Sequence, residues 1–160
     1  MTDKIRKAVP EDFALVDTVL VQGSVYQIAL EPDWMSDTTG ISNSDFNDYL
    51  GNPEKDILVC ERDDQLVGVI QLSVGTVEDA GLKHQPFGCI DEIAVADAFQ
   101  SQGIGSSLMK AAESWALDRS LKMLRLDLWS KNDHAIGLYK KHGFETIRQR
   151  MFRTIGEGDT

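Results

Sequence analysis

The sequence predicts a single domain of the α/β or α+β class over its 160 residues. Strand-like runs rich in β-branched residues alternate with segments whose apolar residues recur at helical spacing, a pattern typical of a sheet flanked by helices. The chain shows no internal repeat, no low-complexity tract and no linker rich in proline and serine. We therefore expect one domain over residues 1–160, long enough to bury roughly two-thirds of the surface of the unfolded chain.

Composition and charge narrow the possible functions. Hydrophobic residues make up 42% and charged residues 26% of the chain, which is ordinary globular usage. The formal net charge of −10 argues against nucleic-acid binding and is compatible with a cationic amine substrate. No apolar run approaches the ~18 residues of a membrane span, and no signal peptide is recognisable, so we expect a cytoplasmic protein without a membrane partner. No Cys/His spacing indicates a metal site, and Cys60 and Cys89 lie in apolar runs as buried hydrophobes.

The N-terminal third begins with a strand at residues 4–9. Pro10 occupies a favourable first helical position, and the acids Glu11 and Asp12 follow it in the first turn, where the helix dipole favours negative charge. Apolar residues then continue at helical spacing as far as Val21. Residues 22–54 are predicted to be irregular, with short helices and a connecting loop.

The remaining elements follow from alternation and from turn residues. A polar turn at 63–65 joins two β-branched runs and predicts a hairpin. A clean apolar face predicts a helix from about Ile104 to Asp118, and Asn132 and Gly143 are the expected cap and stop of a second helix. The predicted strands are residues 56–62, 66–74, 88–95, 122–129 and a last region from 144 to 155, with a loose connector at 75–87.

The glycine-rich segment after the strand at 88–95 predicts an anion site. In Gln100-Ser-Gln-Gly103-Ile-Gly105, two glycines mark the entry into a helix, where bare N–H groups and the helix dipole favour a phosphate. A dinucleotide fold requires a third glycine, but Gly105 is followed by Ser-Ser-Leu, and the chain has no Gly-Lys-Ser/Thr for a P-loop. An ordinary strand-to-helix turn is the alternative interpretation.

A second group of residues runs from Asn132 to Phe144. It predicts a capped helix that carries Tyr139, whose phenol could deliver a proton, although an ordinary capped helix would have the same pattern. About 35 residues separate this group from the glycine segment, with one helix and one strand between them. The strands before the two helices can therefore be parallel neighbours.

These residues resemble the GCN5-related N-acetyltransferase (GNAT) family. Ile93-Ala-Val95 followed by Gln100 to Gly105 is similar to its acyl-CoA-binding motif, Gln/Arg-x-x-Gly-x-Gly/Ala. Asn132, Ala135, Leu138-Tyr139 and Gly143-Phe144 are similar to its second motif block. The resemblance covers approximately residues 4–155 and is weakest over 22–54. It implies a twisted, mixed, mostly antiparallel sheet of six or seven strands, about four helices, and a splayed parallel pair that binds acyl-CoA.

The resemblance also implies a site for acetyl-CoA as co-substrate. The pantetheine arm would pair with the main chain around Ile93 and Val95, and the pyrophosphate would rest on N–H groups of the glycine turn. A Cβ at position 103 or 105 would obstruct this approach. The implied cofactor-binding residues are Ile93, Ala94, Val95, Gln100, Ser101, Gln102, Gly103, Ile104, Gly105, Ser106, Asn132 and Tyr139.

The implied reaction is direct attack of an amine on the thioester through a tetrahedral intermediate. Asp91 is the first candidate for the base that accepts the amine proton, and Glu92 is the second, because alternation would put Glu92 on the opposite face with Ile90 and Ala94. Tyr139 would protonate the departing thiolate. The alternatives are a strand-end charge in a local hydrogen-bond network for the two acids, and a core aromatic for Tyr139.

The sequence therefore predicts an acetyl-CoA-dependent N-acetyltransferase acting on a primary amine. The acceptor could be a small amine, an amino-acid derivative, an aminoglycoside-like polyamine, or a protein or peptide amine such as an N-terminus or a lysine. Residues 22–54 and 75–87 would form its pocket. A non-catalytic acyl-CoA-binding sensor on the same fold is the alternative function. A homodimer is a candidate assembly, with residues 144–155 as the contact.

Overall fold

The structure, a computed structural model, describes residues 2–76 and 83–156. Its sheet has five strands in the order β1-β2-β3-β4-β5. The strands are β1 (Lys4–Lys7), β2 (Lys55–Arg62), β3 (Gln65–Thr76), β4 (Pro86–Val95) and β5 (Leu124–Arg125). The helices are α1 (Phe13–Leu30), α2 (Asn43–Gly51), α3 (Ile104–Asp118) and α4 (Asp133–Lys141), with 3₁₀ turns at Pro10–Asp12 and Asp97–Phe99.

The strand pairing confirms a mixed, mostly antiparallel sheet. The pairs from β1 to β4 are antiparallel, whereas β4 and β5 are parallel, as predicted for the strands that precede the two motif helices. The hairpin is also confirmed: Asp63 and Asp64 both take left-handed φ values, 50° and 61°, which match the twist of a two-residue hairpin turn. The four helices agree with the predicted number.

The described residues contain fewer strands than the six or seven predicted. The strand predicted at 122–129 shortens to Leu124–Arg125, and residues 144–155 form neither helix nor strand. A strand requires a neighbour for its backbone hydrogen bonds. The described chain offers residues 144–155 no such neighbour, so the strand-like sequence does not become a strand.

Two apolar cores lie on the two faces of the sheet. Alternation along β3 sends Val69 to the face covered by α1 and α2, and sends Ile70 and Leu72 to the face covered by α3 and α4. Trp115 of α3 and Tyr139 of α4 belong to the second core. The sheet is therefore covered on both faces, and the ends of β4 lie between the two layers.

Helix α1 is longer than predicted, since it continues through residues 22–30 to Leu30. Packing explains the extension: a Cβ at Gly23 would lie 3.1 Å from the Cβ of Ala94, so the glycine lets the helix approach β4 closely. Among the described residues, Pro10–Leu30 is also long and apolar enough to cross a membrane by length and composition alone. Of its apolar 18-residue stretch 17% is buried, and the buried part includes Val16 and Leu20, which lie in the core between α1 and the sheet.

Candidate active site

A gap opens between β4 and β5. The two strands pair only at Gly88 with Leu124 and at Cys89 with Arg125. Beyond Cys89, β4 continues to Val95, and no strand among residues 2–76 and 83–156 pairs with it on that side. An extended, amide-containing ligand can pair with such an edge. The side chains of Ile93 and Val95 pack toward the α3–α4 core and that of Ala94 toward the α1–α2 core, so the edge itself presents backbone groups.

The glycine turn forms the N-terminus of α3. Gly103 is its N-cap with a left-handed φ of 86°, and the Ser107 N–H makes the first helical hydrogen bond, to the Gly103 carbonyl at 3.1 Å. The N–H groups of Ile104, Gly105 and Ser106 precede this bond and have no carbonyl within the helix. Such groups can bind an anion, so this turn has the backbone geometry that the predicted anion site requires.

The two glycines of the turn have different roles. A Cβ at Gly103 would meet nothing within 4 Å, so its backbone conformation requires glycine and the space beside it is open. A Cβ at Gly105 would instead lie 3.2 Å from Leu138 Cδ2. Gly105 therefore also allows α3 to pack closely against α4, and the expectation that both glycines serve the approach of a ligand stays a prediction.

The side chains around the turn point in several directions. Gln100 Nε2 donates to the Val95 carbonyl at 3.4 Å, and Gln102 Oε1 accepts from Arg62 Nη1 at 2.8 Å. Ser101 is exposed with a left-handed φ of 59°, and the Ile104 side chain is buried in the core. Gln100 and Gln102 thus form hydrogen bonds to neighbouring parts of the chain, which leaves the backbone N–H groups for the predicted anion site.

The C-terminal end of α4 brings two side chains, those of Lys141 and His142, close to the glycine turn. The Lys141 ammonium lies 3.5 Å from Ser106 Oγ, and His142 Nε2 lies 3.1 Å from the same oxygen. Neither residue was among the predicted site residues, because their only signal in the sequence is a basic end of the helix, which the helix dipole alone would explain.

Asn132 has two hydrogen-bonding roles. Its Oδ1 accepts from the Ala135 N–H at 3.1 Å, which caps α4, and its Nδ2 donates to Gln27 Oε1 at 3.0 Å. Gln27 Nε2 is a buried donor that has no hydrogen-bond partner among the described residues. An unsatisfied buried donor costs about 1–3 kcal/mol, so a ligand carbonyl here would relieve a real penalty. Gln27 was not a predicted site residue, because residues 22–54 were predicted to be irregular.

A β-bulge determines where the two acids of β4 lie. Leu72 pairs with Ile90 and the adjacent Gln71 pairs with Glu92, so Asp91 is the extra residue. Ile90 belongs to the α3–α4 core, whereas Ala94 belongs to the α1–α2 core. The prediction that Glu92 shares a face with both Ile90 and Ala94, opposite Asp91, is therefore wrong. The bulge resets the alternation, and both acids face the same cavity.

That cavity has a volume of about 350 Å³ and lies between α2 and β4. Its lining is mostly polar: Gly40, Ile41, Asp45, Tyr49, Lys55, Gln71, Asp91 and Glu92. Residues 22–54, expected to form an acceptor pocket, contribute the first four. Of the other expected segment, 75–87, residues 77–82 lie outside the described residues.

Asp91 is held by two hydroxyl groups. The Tyr49 hydroxyl donates to its Oδ2 at 2.6 Å, and Ser73 Oγ donates to its Oδ1 at 3.0 Å. Burial, and after it the hydrogen bond to Asp91, raises the pKa of Tyr49 well above its usual value, so this tyrosine stays a donor. Asp91 therefore belongs to a local hydrogen-bond network at the cavity wall.

Glu92 has a different environment. It is half-buried, and among the described residues no group forms a hydrogen bond or ion pair with its carboxylate. Burial raises the pKa of this carboxyl from 4.5 to about 7. Its charge also contributes to the raised pKa values of Tyr49 and Tyr139, so it lies within electrostatic range of both tyrosines.

Tyr139 is buried on α4 with its ring centroid 5.9 Å from that of Phe144. Burial first, and the charge of Glu92 second, raise the pKa of this phenol. The hydroxyl therefore stays protonated at neutral pH. No partner among the described residues accepts a hydrogen bond from it, so it can donate to a ligand.

Comparison with known proteins shows to which family the chain belongs. The profile of the acetyltransferase (GNAT) family matches residues 24–144, which include the cavity wall, the glycine turn and Tyr139. The chain belongs to this family. Membership confirms the fold expected from the resemblance and the predicted acyltransferase class.

The chain is also similar to individual proteins of known sequence or structure. A protein of Bacillus subtilis strain 168 named as a ribosomal protein bS18-alanine N-acetyltransferase is 28% identical over 117 residues, 72% of each chain. A mutant of the BH1408 protein from Bacillus halodurans has a TM-score of 0.88 at 18% identity, over 95% of this chain and 99% of that one. The aminoglycoside N-acetyltransferase AAC(6')-Iy, solved in complex with CoA, has a TM-score of 0.69 at 16% identity, over 96% of this chain and 99% of that one.

Proposed function

We propose that this protein is an acetyl-CoA-dependent N-acetyltransferase that acts on a primary amine, with Glu92 as the base. The observation that carries the proposal is the Glu92 carboxylate, unpartnered among the described residues and with a pKa raised to about 7, in the wall of a cavity beside the open edge of β4. An acid whose pKa lies near the working pH is suited to proton transfer.

The residues around the gap fit acyl-CoA. The free edge of β4 at Ile93 and Val95 would pair with the pantetheine arm, and the N–H groups of Ile104 to Ser106 would hold the pyrophosphate. Lys141 adds a positive charge near Ser106. The unsatisfied Gln27 amide offers a donor for a ligand carbonyl. When bound, acetyl-CoA supplies the activated thioester, and a CoA complex of a fold neighbour supports this choice of ligand.

Glu92 fits the role of base better than Asp91. An amine with a pKa near 10 is mostly protonated at neutral pH and must lose a proton before it can attack. Glu92 is about half ionised near pH 7 and has free lone pairs to accept that proton. Asp91 already accepts two hydroxyl hydrogen bonds. We assign Asp91 to positioning Tyr49 and to the negative charge of the cavity.

Tyr139 is the proposed donor to the departing thiolate. Its hydroxyl stays protonated because burial and the Glu92 charge raise its pKa. A hydrogen bond to a thiolate as its charge develops lowers the barrier even without full proton transfer.

The cavity favours a cationic acceptor. Asp45, Asp91 and Glu92 face it, whereas its one lysine, Lys55, is paired with Asp48 outside the lining. The chain as a whole carries a net charge of −10, which attracts cations over longer range. We propose a small molecule with more than one amine as acceptor. Because the B. subtilis relative is named for a ribosomal protein, a peptide amine is the second acceptor class that the amine screen should include.

A screen of amines with acetyl-CoA tests the proposal, with release of free thiol as the readout. The panel should include polyamines, aminoglycosides, amino-acid amides and peptides with free N-termini. We expect turnover with at least one polycationic amine and weaker turnover with neutral monoamines. If CoA binds but no amine in the panel is acetylated, the sensor function is correct and the enzyme proposal fails.

A further inference from the structure

The glycine turn before α3 has a strained backbone. Ser101 and Gly103 both have left-handed φ values, 59° and 86°, and Gln102 lies between them. Side chains such as that of serine rarely adopt this conformation, so a turn of this kind keeps its shape only where neighbouring groups hold it. Gln102 is exposed, so packing does not supply that support. Hydrogen bonds from another part of the chain supply it instead.

The side chain that donates these hydrogen bonds is Arg62, the last residue of β2. It is only 7% exposed. Its Nη1 donates to Gln102 Oε1 at 2.8 Å, and its Nη2 donates to the Gln102 carbonyl oxygen at 3.3 Å. Gln102 Nε2 donates in turn to the Ala98 carbonyl at 3.5 Å. The guanidinium therefore holds both the side chain and the backbone of the residue between the two left-handed positions.

Asp3 fixes the position of this guanidinium. Arg62 Nε and Nη2 donate to the two oxygens of the Asp3 carboxylate at 2.7 and 3.1 Å, which is the planar, two-point pairing that arginine forms with a carboxylate. Ser107 Oγ, in the first turn of α3, lies 3.3 Å from Asp3 Oδ2. Because Asp3 neutralises the charge of Arg62, the main effect of Arg62 on the turn is geometric.

The contact with the Gln102 carbonyl also determines where the next N–H points. The peptide bond between Gln102 and Gly103 is trans and planar, so its C=O and its N–H point in opposite directions. Arg62 binds the carbonyl, and the Gly103 N–H therefore points away from Arg62. This N–H donates to no residue that the structure describes. It precedes the free N–H groups of Ile104 to Ser106 and adds a donor to the same turn.

We propose that Arg62 is a positioning residue for acyl-CoA binding: it holds Gln102 so that the N–H groups of the glycine turn are directed at the pyrophosphate. The proposal rests on the proposed use of acetyl-CoA. Arg62 does not touch the ligand and acts through Gln102. Its role therefore differs from that of Lys141, whose ammonium would attract a phosphate directly.

Calorimetric titration with CoA tests whether geometry or charge matters. Arg62→Lys keeps the positive charge, but one ammonium cannot pair with Asp3 at two points and also donate to both oxygens of Gln102. We expect this variant to bind CoA at least about fivefold more weakly, because the turn is no longer held in its binding form. Gln102→Ala leaves the pair of Arg62 and Asp3 in place and should bind CoA about threefold more weakly. Affinity equal to that of the wild type in both variants would overturn the proposal.

A matched control separates this effect from the loss of an ion pair in general. Arg6 of β1 forms ion pairs with Asp12 and Glu61 at 2.6 and 2.7 Å, and it forms no hydrogen bond to the glycine turn among the described residues. Arg6→Lys should bind CoA like the wild type. Circular dichroism checks that each variant is folded. An equal loss of CoA affinity in Arg6→Lys and Arg62→Lys would overturn the proposal.

A shorter thioester locates the effect along the ligand. Acetyl-pantetheine lacks the pyrophosphate, so it does not use the glycine turn. Arg62→Lys should raise KM for acetyl-CoA about fivefold, and it should leave kcat and the KM for acetyl-pantetheine unchanged. Equal losses with the two thioesters would show that Arg62 supports the fold as a whole, and would overturn a role at the phosphates.

A measurement on the free protein separates this proposal from the proposed function. The backbone amide resonances of residues 101–103 should shift in Arg62→Lys and in Gln102→Ala, and they should stay in place in Arg6→Lys. Unchanged resonances in Arg62→Lys would overturn the positioning role even if CoA binds. Failure of the wild type to bind CoA would overturn the proposed function and the ligand assigned to this turn, whereas the resonances would still show whether Arg62 holds the turn.

Discussion

The Tyr49 hydroxyl donates a 2.6 Å hydrogen bond to the Asp91 carboxylate, and this bond distinguishes two adjacent acids that face one cavity. Asp91 is satisfied by Tyr49 and Ser73, whereas Glu92 has no partner among the described residues and a pKa raised to about 7. The bulge in β4 brings the two acids to the same face. Their different environments support the two proposed roles: Glu92 as the base, and Asp91 as the residue that positions Tyr49.

Glu92→Gln should lower kcat about 10²- to 10³-fold, because the amine loses its proton acceptor. Asp91→Asn is the control at the neighbouring position. It keeps a hydrogen-bond acceptor for Tyr49 and removes a charge, so we expect KM for the amine to rise and kcat to fall less than about tenfold. Steady-state kinetics on both variants show which of the two acids is the base. A larger loss of kcat in Asp91→Asn than in Glu92→Gln would make Asp91 the base.

The same substitution should stabilise the fold at alkaline pH. Glu92 has its ordinary pKa of 4.5 when unfolded and about 7 when folded, so wild-type stability is lost as pH rises between these values. Urea unfolding should find Glu92→Gln and the wild type similar near about pH 4, and the variant up to about 3 kcal/mol more stable near about pH 8. Glu113→Gln, at an exposed position of α3, should change neither value. A variant less stable than the wild type near about pH 8 would show that Glu92 has a stabilising partner.

Tyr139→Phe should lower kcat about 10- to 100-fold with little change in thermal stability. The hydroxyl has no partner among the described residues, so its loss breaks no internal hydrogen bond, whereas the departing thiolate would lose its donor. Thiol-release kinetics and thermal unfolding measure the two effects. Tyr26→Phe on the exposed part of α1 is the matched control. Full activity in Tyr139→Phe would contradict the assigned role.

Gly103→Ala should weaken CoA binding about tenfold. The residue has a φ of 86°, which costs an alanine about 1 kcal/mol, and the new Cβ would enter the open space assigned to the phosphates. Calorimetric titration with CoA measures the effect. Gly51→Ala, at the end of α2 where a Cβ also meets nothing within 4 Å, should bind CoA like the wild type. Equal affinities for all three proteins would move the phosphate site away from this turn.

Lys141→Gln should raise KM for acetyl-CoA about three- to tenfold and leave kcat unchanged. The ammonium lies 3.5 Å from Ser106 Oγ, close enough to attract a phosphate at the α3 N-terminus. The effect should shrink at high salt because the charge is partly screened. Lys140→Gln removes the same charge one residue away, at an exposed position that lacks a contact to Ser106, and serves as the control. Equal effects of the two variants would indicate only a general loss of positive charge.

Local signals explain which elements could be predicted. The apolar face of Ile104–Asp118 predicts α3 at its observed bounds, and Asn132 and Gly143 mark the ends of α4 because caps act within one turn. The parallel placement of β4 and β5 follows from the helix between them. All of these features depend on residues that are close in sequence.

The missed features depend on contacts between distant segments. The bulge at Asp91 exists only through pairing with β3, so simple alternation misplaced Glu92. The last nine residues of α1 extend past the predicted end of the helix, where Gly23 allows close approach to Ala94 of β4. Residues 144–155 have the pattern of a strand but no strand neighbour among the described residues. Gln27 and Lys141 matter through Asn132 and Ser106, which no spacing reveals.

The pH dependence of kcat/KM for the best acceptor, compared between the wild type and Glu92→Gln, shows whether Glu92 is the base. Wild-type kcat/KM should rise through an apparent pKa near 7, as Glu92 ionises, and this limb should disappear in Glu92→Gln. An identical acid limb in both proteins would contradict the assignment of Glu92 as the base.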